Sequence, residues 1–203
     1  RRGGVKVDRT PETWPVRGPW TVRFGGNGDT AGPTTVVWSG LRSWAEVEEP
    51  AIRYYSGTGV YESAVEVPAE ALGRGRRWVL DLGRVEVMAR VTVNGRLVGT
   101  LWKPPYLVDI TRAIRRGSNL LRIEVVNLWP NRLVGDEQLE EDSDRRPDGT
   151  LTGWPEWLMA GQPSPTGRVT FTSWRLWKRT DALLPSGLLG PVEVRAEPGA
   201  GGW

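Results

Sequence analysis

Seven aromatic residues, Trp102, Tyr106, Trp129, Trp154, Trp157, Trp174 and Trp177, fall in or beside stretches that lack strand periodicity. A flat indole can pack against the apolar C–H face of a sugar ring while polar neighbours take the hydroxyls, so this set could bind saccharide. The competing reading is that the indoles plug the ends of a sandwich and pin a long loop. Asn131, Arg132, Asp136 and Glu137 follow a strand that ends near Val126, and such side chains supply the paired donors and acceptors that vicinal hydroxyls need. They could equally form a buried Arg132–Asp136 or Arg132–Glu137 pair that fastens the loop to the body.

Glu137, Glu140, Glu141, Asp142, Asp144 and Asp148 lack the Asp-x-Asp-x-Asp-Gly spacing of a calcium loop. They read as a solvated acidic run, with structural calcium the one cofactor left in view. Glycosidic cleavage needs two carboxylates about 5–10 Å apart across a cleft, which gives a further reading of a small autonomous glycosidase or lyase using Asp136, Glu137 or Glu156. The sequence contains no His and no Cys, which excludes a Ser-His-Asp triad, a thiol nucleophile and the usual zinc ligands.

The 27 basic and 24 acidic residues leave a net charge of +3. Arg74-Gly75-Arg76-Arg77 and Arg112 to Arg116 sit where turns are expected, so each reads as a solvated loop and nucleic acid is not indicated. No run of apolar residues is long enough for a membrane helix. Arg1-Arg2-Gly3-Gly4 has no apolar h-region, so a secretion signal would lie outside this chain.

Strand signals recur every eight to fifteen residues. Trp20–Phe24 and Thr34–Trp38 flank a turn cluster at Gly25-Gly26-Asn27-Gly28-Asp29, and Gly73-Arg74-Gly75-Arg76 reads as another turn. Residues 59–67 alternate, with Val60, Ala64 or Val65, and Val67 available to face inward. Residues 77–82 and 85–93 repeat the period of two. Asn94-Gly95 suits a type I′ hairpin, and residues 106–110 form a further strand. In 120–126 Leu121, Ile123 and Val125 belong in the core, and 191–196 closes the set. Between Asn127 and Trp177 the strand signal lapses for about fifty residues, a length that is usually functional. Within that stretch residues 154–159 suit one helical turn. The expected fold is therefore an all-β antiparallel sandwich with a long Trp-rich loop insertion. Residues 1–19 form a lead-in, 20–198 the sandwich and 199–203 a flexible tail.

The segment Asp81-Leu82-Gly83 through Val91-Thr92-Val93-Asn94-Gly95, continuing to Trp102-Lys103-Pro104-Pro105-Tyr106, resembles the sugar-binding sandwich of family 2 glycoside hydrolases. Residues 127–138, Trp154-Pro155-Glu156-Trp157-Leu158 and 184–192 resemble the C-terminal domain of family 106 enzymes of the α-L-rhamnosidase type. Arg53 to Tyr61 also fits. The resemblance covers Trp20 to Ala196 and implies a galactose-binding-like jelly roll. It further implies a non-catalytic accessory module whose parent carries its catalytic carboxylates on a separate (β/α)₈ barrel. The expected partners are a poly- or oligosaccharide and that parent catalytic domain, in a secreted or periplasmic bacterial setting. A purely structural domain packed on the parent barrel is the alternative, and it predicts an exposed apolar patch.

Overall fold

The computed structural model describes residues 12–25, 33–72 and 75–198. The tail expected at 199–203, residues 1–11 of the lead-in, most of the turn at 25–29 and part of the turn at 73–76 lie outside these described residues. Twelve strands are present among them: β1 (Glu12–Pro15), β2 (Trp20–Phe24), β3 (Thr34–Trp38), β4 (Thr58–Val67), β5 (Arg76–Asp81), β6 (Arg84–Glu86), β7 (Met88–Val93), β8 (Arg96–Leu101), β9 (Leu107–Asp109), β10 (Gly117–Val126), β11 (Gly187–Gly190) and β12 (Glu193–Pro198). They form a six-stranded sheet, β3-β2-β4-β10-β7-β8, a four-stranded sheet, β1-β12-β5-β9, and the pair β11-β6. Every strand pairing is antiparallel, and the sheets enclose one apolar core. This is the expected sandwich.

The central ladder, β4 against β10, runs from Val67↔Gly117 to Thr58↔Val126. β10 buries Leu121, Ile123 and Val125, as its period of two predicts. In β4 the expectation holds at Val65 and Val67 and fails at Val60. Tyr61, Ser63, Val65 and Val67 are buried while Val60 is half-buried and Ala64 exposed. A one-residue change of phase exchanges the two faces of a strand, and the pairing of Tyr61 with Ile123 settles it.

Three further strand expectations need correction. Residues 85–93 are two strands: β6 pairs with β11, and β7 pairs with β10 in the six-stranded sheet. β11, unseen in the sequence, is a Gly-bounded Leu-Leu pair too short to show a period. Part of the lead-in at 1–19 is also strand, since β1 pairs with β12 and Trp14 stacks on Trp78 at 5.1 Å.

One end of the core is aromatic. The Trp44 indole stands edge-on to Phe24 at 5.2 Å and to Tyr55 at 5.6 Å. Its Nε1–H donates to the Tyr61 hydroxyl at 2.5 Å, and the Leu188 N–H donates to the same oxygen at 3.0 Å. Burial pushes the Tyr61 phenol up to about 12, against the opposing pull of those two donors. Gly59 and Gly187 flank the Trp44 ring, and a Cβ on either would run into it.

The Asn94-Gly95 hairpin between β7 and β8 forms as predicted, with φ of 50° and 79°. The Asn94 amide donates to the Ala113 carbonyl at 2.9 Å and to Asn119 Oδ1 at 2.8 Å, and its oxygen accepts the Leu120 N–H at 3.0 Å. Among the described residues no helix is long and apolar enough to cross a membrane.

Candidate functional site

The insertion after β10 is gripped at both ends. At its start the Asn127 amide donates to the Tyr55 carbonyl at 2.8 Å and accepts the Gly57 N–H at 2.9 Å. At its end the buried Asn131 amide both donates to the Leu184 carbonyl and accepts the Leu184 N–H, each at 2.8 Å. Between these clamps runs a short helix, α1 (Pro130–Asp136), started by Pro130 in the first turn, where its missing N–H costs nothing.

Asp136 ends that helix with its carboxylate buried. It accepts the Thr170 N–H at 2.7 Å, the Thr170 hydroxyl at 2.5 Å and the Val169 N–H at 3.2 Å, and it pairs with Arg132 at 3.0 Å. Glu137 accepts from Arg168 at 2.9 Å; its other oxygen lies 3.1 Å from Arg175 Nε, out of line with that N–H. Arg168 also donates to the carbonyls of Glu140 and Leu139, and both Arg168 and Arg175 reach Glu141. Arg145 donates to the carbonyls of Gly149 and Thr172. Its burial lowers its pKa; Arg168 lowers it further, against the opposing charges of Glu137 and Asp142. Guanidinium groups thus satisfy the backbone carbonyls that strand ladders satisfy elsewhere. The cavity at the centre of this cluster, about 20 Å³, has room for a single water and none for a sugar.

The contacts of Asp136 and Glu137 fasten the insertion to itself, as the scaffold alternative expects, and of the two pairs it offered Arg132–Asp136 is the one that forms. The run 140–148 is not simply solvated: Glu141 is held by Arg168 and Arg175, and Asp142 accepts the Ser143 and Ser164 hydroxyls at 2.8 Å each. Among the described residues no three carboxylates converge in a way that could hold a metal ion.

On the outer side of the same insertion lies an open groove of about 820 Å³. Trp154 and Trp157 line it, with Ser143, Asp144, Thr152, Glu156 and Gln162 among the polar groups. The expected helical turn is present as α2 (Glu156–Met159). Trp157 is immobilised: its Nε1–H donates to the Asp142 carbonyl at 2.8 Å and its ring meets Phe171 edge-on at 5.9 Å. Phe171 also backs Trp154 at 5.9 Å, yet Trp154 stays 64% exposed. Among the described residues, Asp144 and Glu156 make no side-chain hydrogen bond or ion pair, so their oxygens stay available. A supported but open indole beside unspent carboxylates is an arrangement suited to a polyol ring.

The remaining sequence candidates scatter. Tyr106 is not on a rim: it is buried in the core, its hydroxyl donating to the Val87 carbonyl at 2.7 Å. Burial, with Glu86 adding to it, raises that phenol's pKa. Trp102 is exposed beyond β8, with Lys103 over its ring at 5.5 Å, outside the groove. Trp129 is exposed at the start of α1. Trp174 donates to the Asp148 carbonyl at 3.0 Å and keeps its face open, while Trp177 lines the water-sized cavity. Phe171, Arg145, Arg168 and Arg175 escaped the sequence reading. The one signal for the arginines is that they share a segment with the acidic run.

Comparison with known proteins agrees with this architecture. A curated Formosa agariphila protein named "Putative beta-glucuronidase" is 40% identical over 93% of this chain. A rhamnosidase from Novosphingobium sp. PP1Y is 31% identical over 97% of the chain, with a TM-score of 0.73. This chain spans only 16% of the length of each. A Bifidobacterium dentium beta-glucuronidase, 20% identical, shares the fold over 95% of this chain and 31% of its own, with a TM-score of 0.61. Residues 12–161 match the family described as glycosyl hydrolases family 2, sugar binding domain, and the chain belongs to that family.

Proposed function

We propose that this domain is a non-catalytic accessory module of a larger glycoside hydrolase and holds saccharide in the Trp154–Trp157 groove. The observation that carries the reading is the Trp154 indole, backed by Phe171 and left 64% exposed in a groove that Asp144 and Glu156 also line. A pyranose ring stacks on that face, and Asp144 and Glu156 accept its hydroxyls. The parent is of the α-L-rhamnosidase type, family 106, with this sandwich as a C-terminal jelly roll; the likeness to the Novosphingobium rhamnosidase over 97% of the chain supports this. A catalytic domain of that parent is its partner, polysaccharide its ligand, and the bacterial periplasm or exterior its setting.

Calorimetric titration of the chain with neutral rhamnose- and galactose-containing oligosaccharides tests the groove. Binding is expected, with a loss of about three- to tenfold in Trp154→Ala, the value of one aromatic contact. A folded domain that binds none of them, or binds them equally well without the indole, refutes the reading.

A second role, packing against the parent catalytic domain, is favoured by Leu128, Trp129 and Leu176, all more than half exposed. Leu128→Ser with Trp129→Ser is then expected to reduce dye binding by the isolated domain without altering sugar affinity.

A further inference from the structure

Arginines from two clusters that read separately as solvated turns, Arg76 and Arg77 at the start of β5 and Arg112 after β9, line a single groove of about 620 Å³. β8 is the edge of the six-stranded sheet and β9 the edge of the four-stranded sheet, so the groove opens where the two edges meet. Arg76, Arg77, Arg96 and Arg112 line it, with Leu97 and Val98 contributing apolar surface.

Asp109 is the one acidic residue in that lining, and its charge is already committed. Thr111 and then Arg77 hold its carboxyl below the usual range, and it accepts from Arg77 at 3.0 Å. Arg76 is likewise engaged by Glu12 at 2.5 Å. Arg96 and Arg112 form no ion pair among the described residues. Arg96 donates to the Arg112 carbonyl at 3.2 Å, which ties the two positions together. The groove volume lies within the roughly 300–1,000 Å³ of small-ligand sites.

We infer that this groove is a second saccharide site, selective for a sugar that carries an oxyanion, either a carboxylate or a sulfate ester. Arg96 and Arg112 clasp the anion, and Leu97 and Val98 meet the C–H face of the ring. Two guanidiniums without an ion pair are too few for a nucleic-acid track, in which six to ten phosphates are typically neutralised. The choice of a saccharide over other anions rests on membership of the sugar-binding family, but not on the Trp154 groove.

The test is calorimetry on the chain with a galacturonic acid tetrasaccharide, a sulfated galactan tetrasaccharide, its desulfated counterpart, sodium sulfate and a 20-base-pair DNA duplex. At least one charged tetrasaccharide is expected to bind about tenfold more tightly than the neutral one, and the tighter of the two identifies the anion. Arg96→Gln with Arg112→Gln should lower that affinity about tenfold, and Trp154→Ala should leave it unchanged. If the double variant does not fold, Leu97→Asp at a half-exposed position places a repelling charge in the same groove and should abolish binding. Charge-independent binding, affinity untouched by these substitutions, inorganic sulfate binding as tightly as the tetrasaccharide, or preference for the duplex would each overturn the inference. Neutral-sugar binding lost only with Trp154 bears on the earlier reading alone.

Discussion

The sandwich body and the insertion at 127–186 are built by opposite means. In the body, strand ladders satisfy the backbone and apolar side chains fill the space between sheets, with Trp20, Trp38, Trp44 and Trp78 all buried. The insertion has two short helices and isolated bridges, and its carbonyls are met by Arg145, Arg146, Arg168 and Arg179. Its indoles at Trp129, Trp154 and Trp174 face outward. Where the backbone satisfies itself, aromatics are free to be core; where side chains must do that work, aromatics are free to be surface. The same residue type thus has two roles, and its environment decides which.

The comparison breaks hardest at Trp44. Trp44→Ala removes the hub of the aromatic nest and should cost about 3–5 kcal/mol, read as a fall in the urea midpoint of the whole domain. Asp136→Ala should cost about 3 kcal/mol by stranding Arg132 and two backbone N–H groups. Its loss should appear first as proteolysis within 137–177 while the far-ultraviolet spectrum of the sheets persists. If the sheets unfold together with the insertion, the two regions are one cooperative unit and the contrast is only chemical.

Alkali offers a probe confined to the body. Tyr61 ionises at about 12 when folded, against an ordinary 10.0. The unfolded chain therefore releases this proton first as pH rises. The stability from the neutral buried phenol is complete below pH 10 and should be lost between pH 10 and 12, amounting to roughly 2–3 kcal/mol. Chemical denaturation across that range should show the loss in wild type and a flatter profile in Tyr61→Phe. Asn94→Ala at the hairpin should cost about 1–2 kcal/mol in the same assay, through its left-handed backbone and three lost hydrogen bonds. Trp154→Ala should be smallest, within about 0.5 kcal/mol in stability, while weakening neutral saccharide; a large destabilisation would make that indole part of the core.

Legibility followed the same division. Strands such as β10, and the Asn94-Gly95 turn, announce themselves because their determinants lie within a few residues. The phase of β4 does not, because both faces offer apolar residues and only the partner strand chooses between Val60 and Tyr61. In the insertion the types of residue were readable and their roles were not. Asn131, Asp136 and Glu137 meet Leu184, Thr170, Arg168 and Arg175 from more than thirty residues away, which the sequence does not show, and Arg132 pairs with Asp136 one helical turn on. Tyr106 was likewise misplaced: its ring packs in the core and its hydroxyl reaches the Val87 carbonyl, a partner nineteen residues away.

The two-way amide bridge between Asn131 and Leu184 turns the intervening segment into a closed ring with its own lock. Lengthening such a ring costs little, about 0.6 kcal/mol for each doubling, and the sheets below need not register the change. An engineer could therefore graft a different recognition surface between those two residues and keep the same foundation.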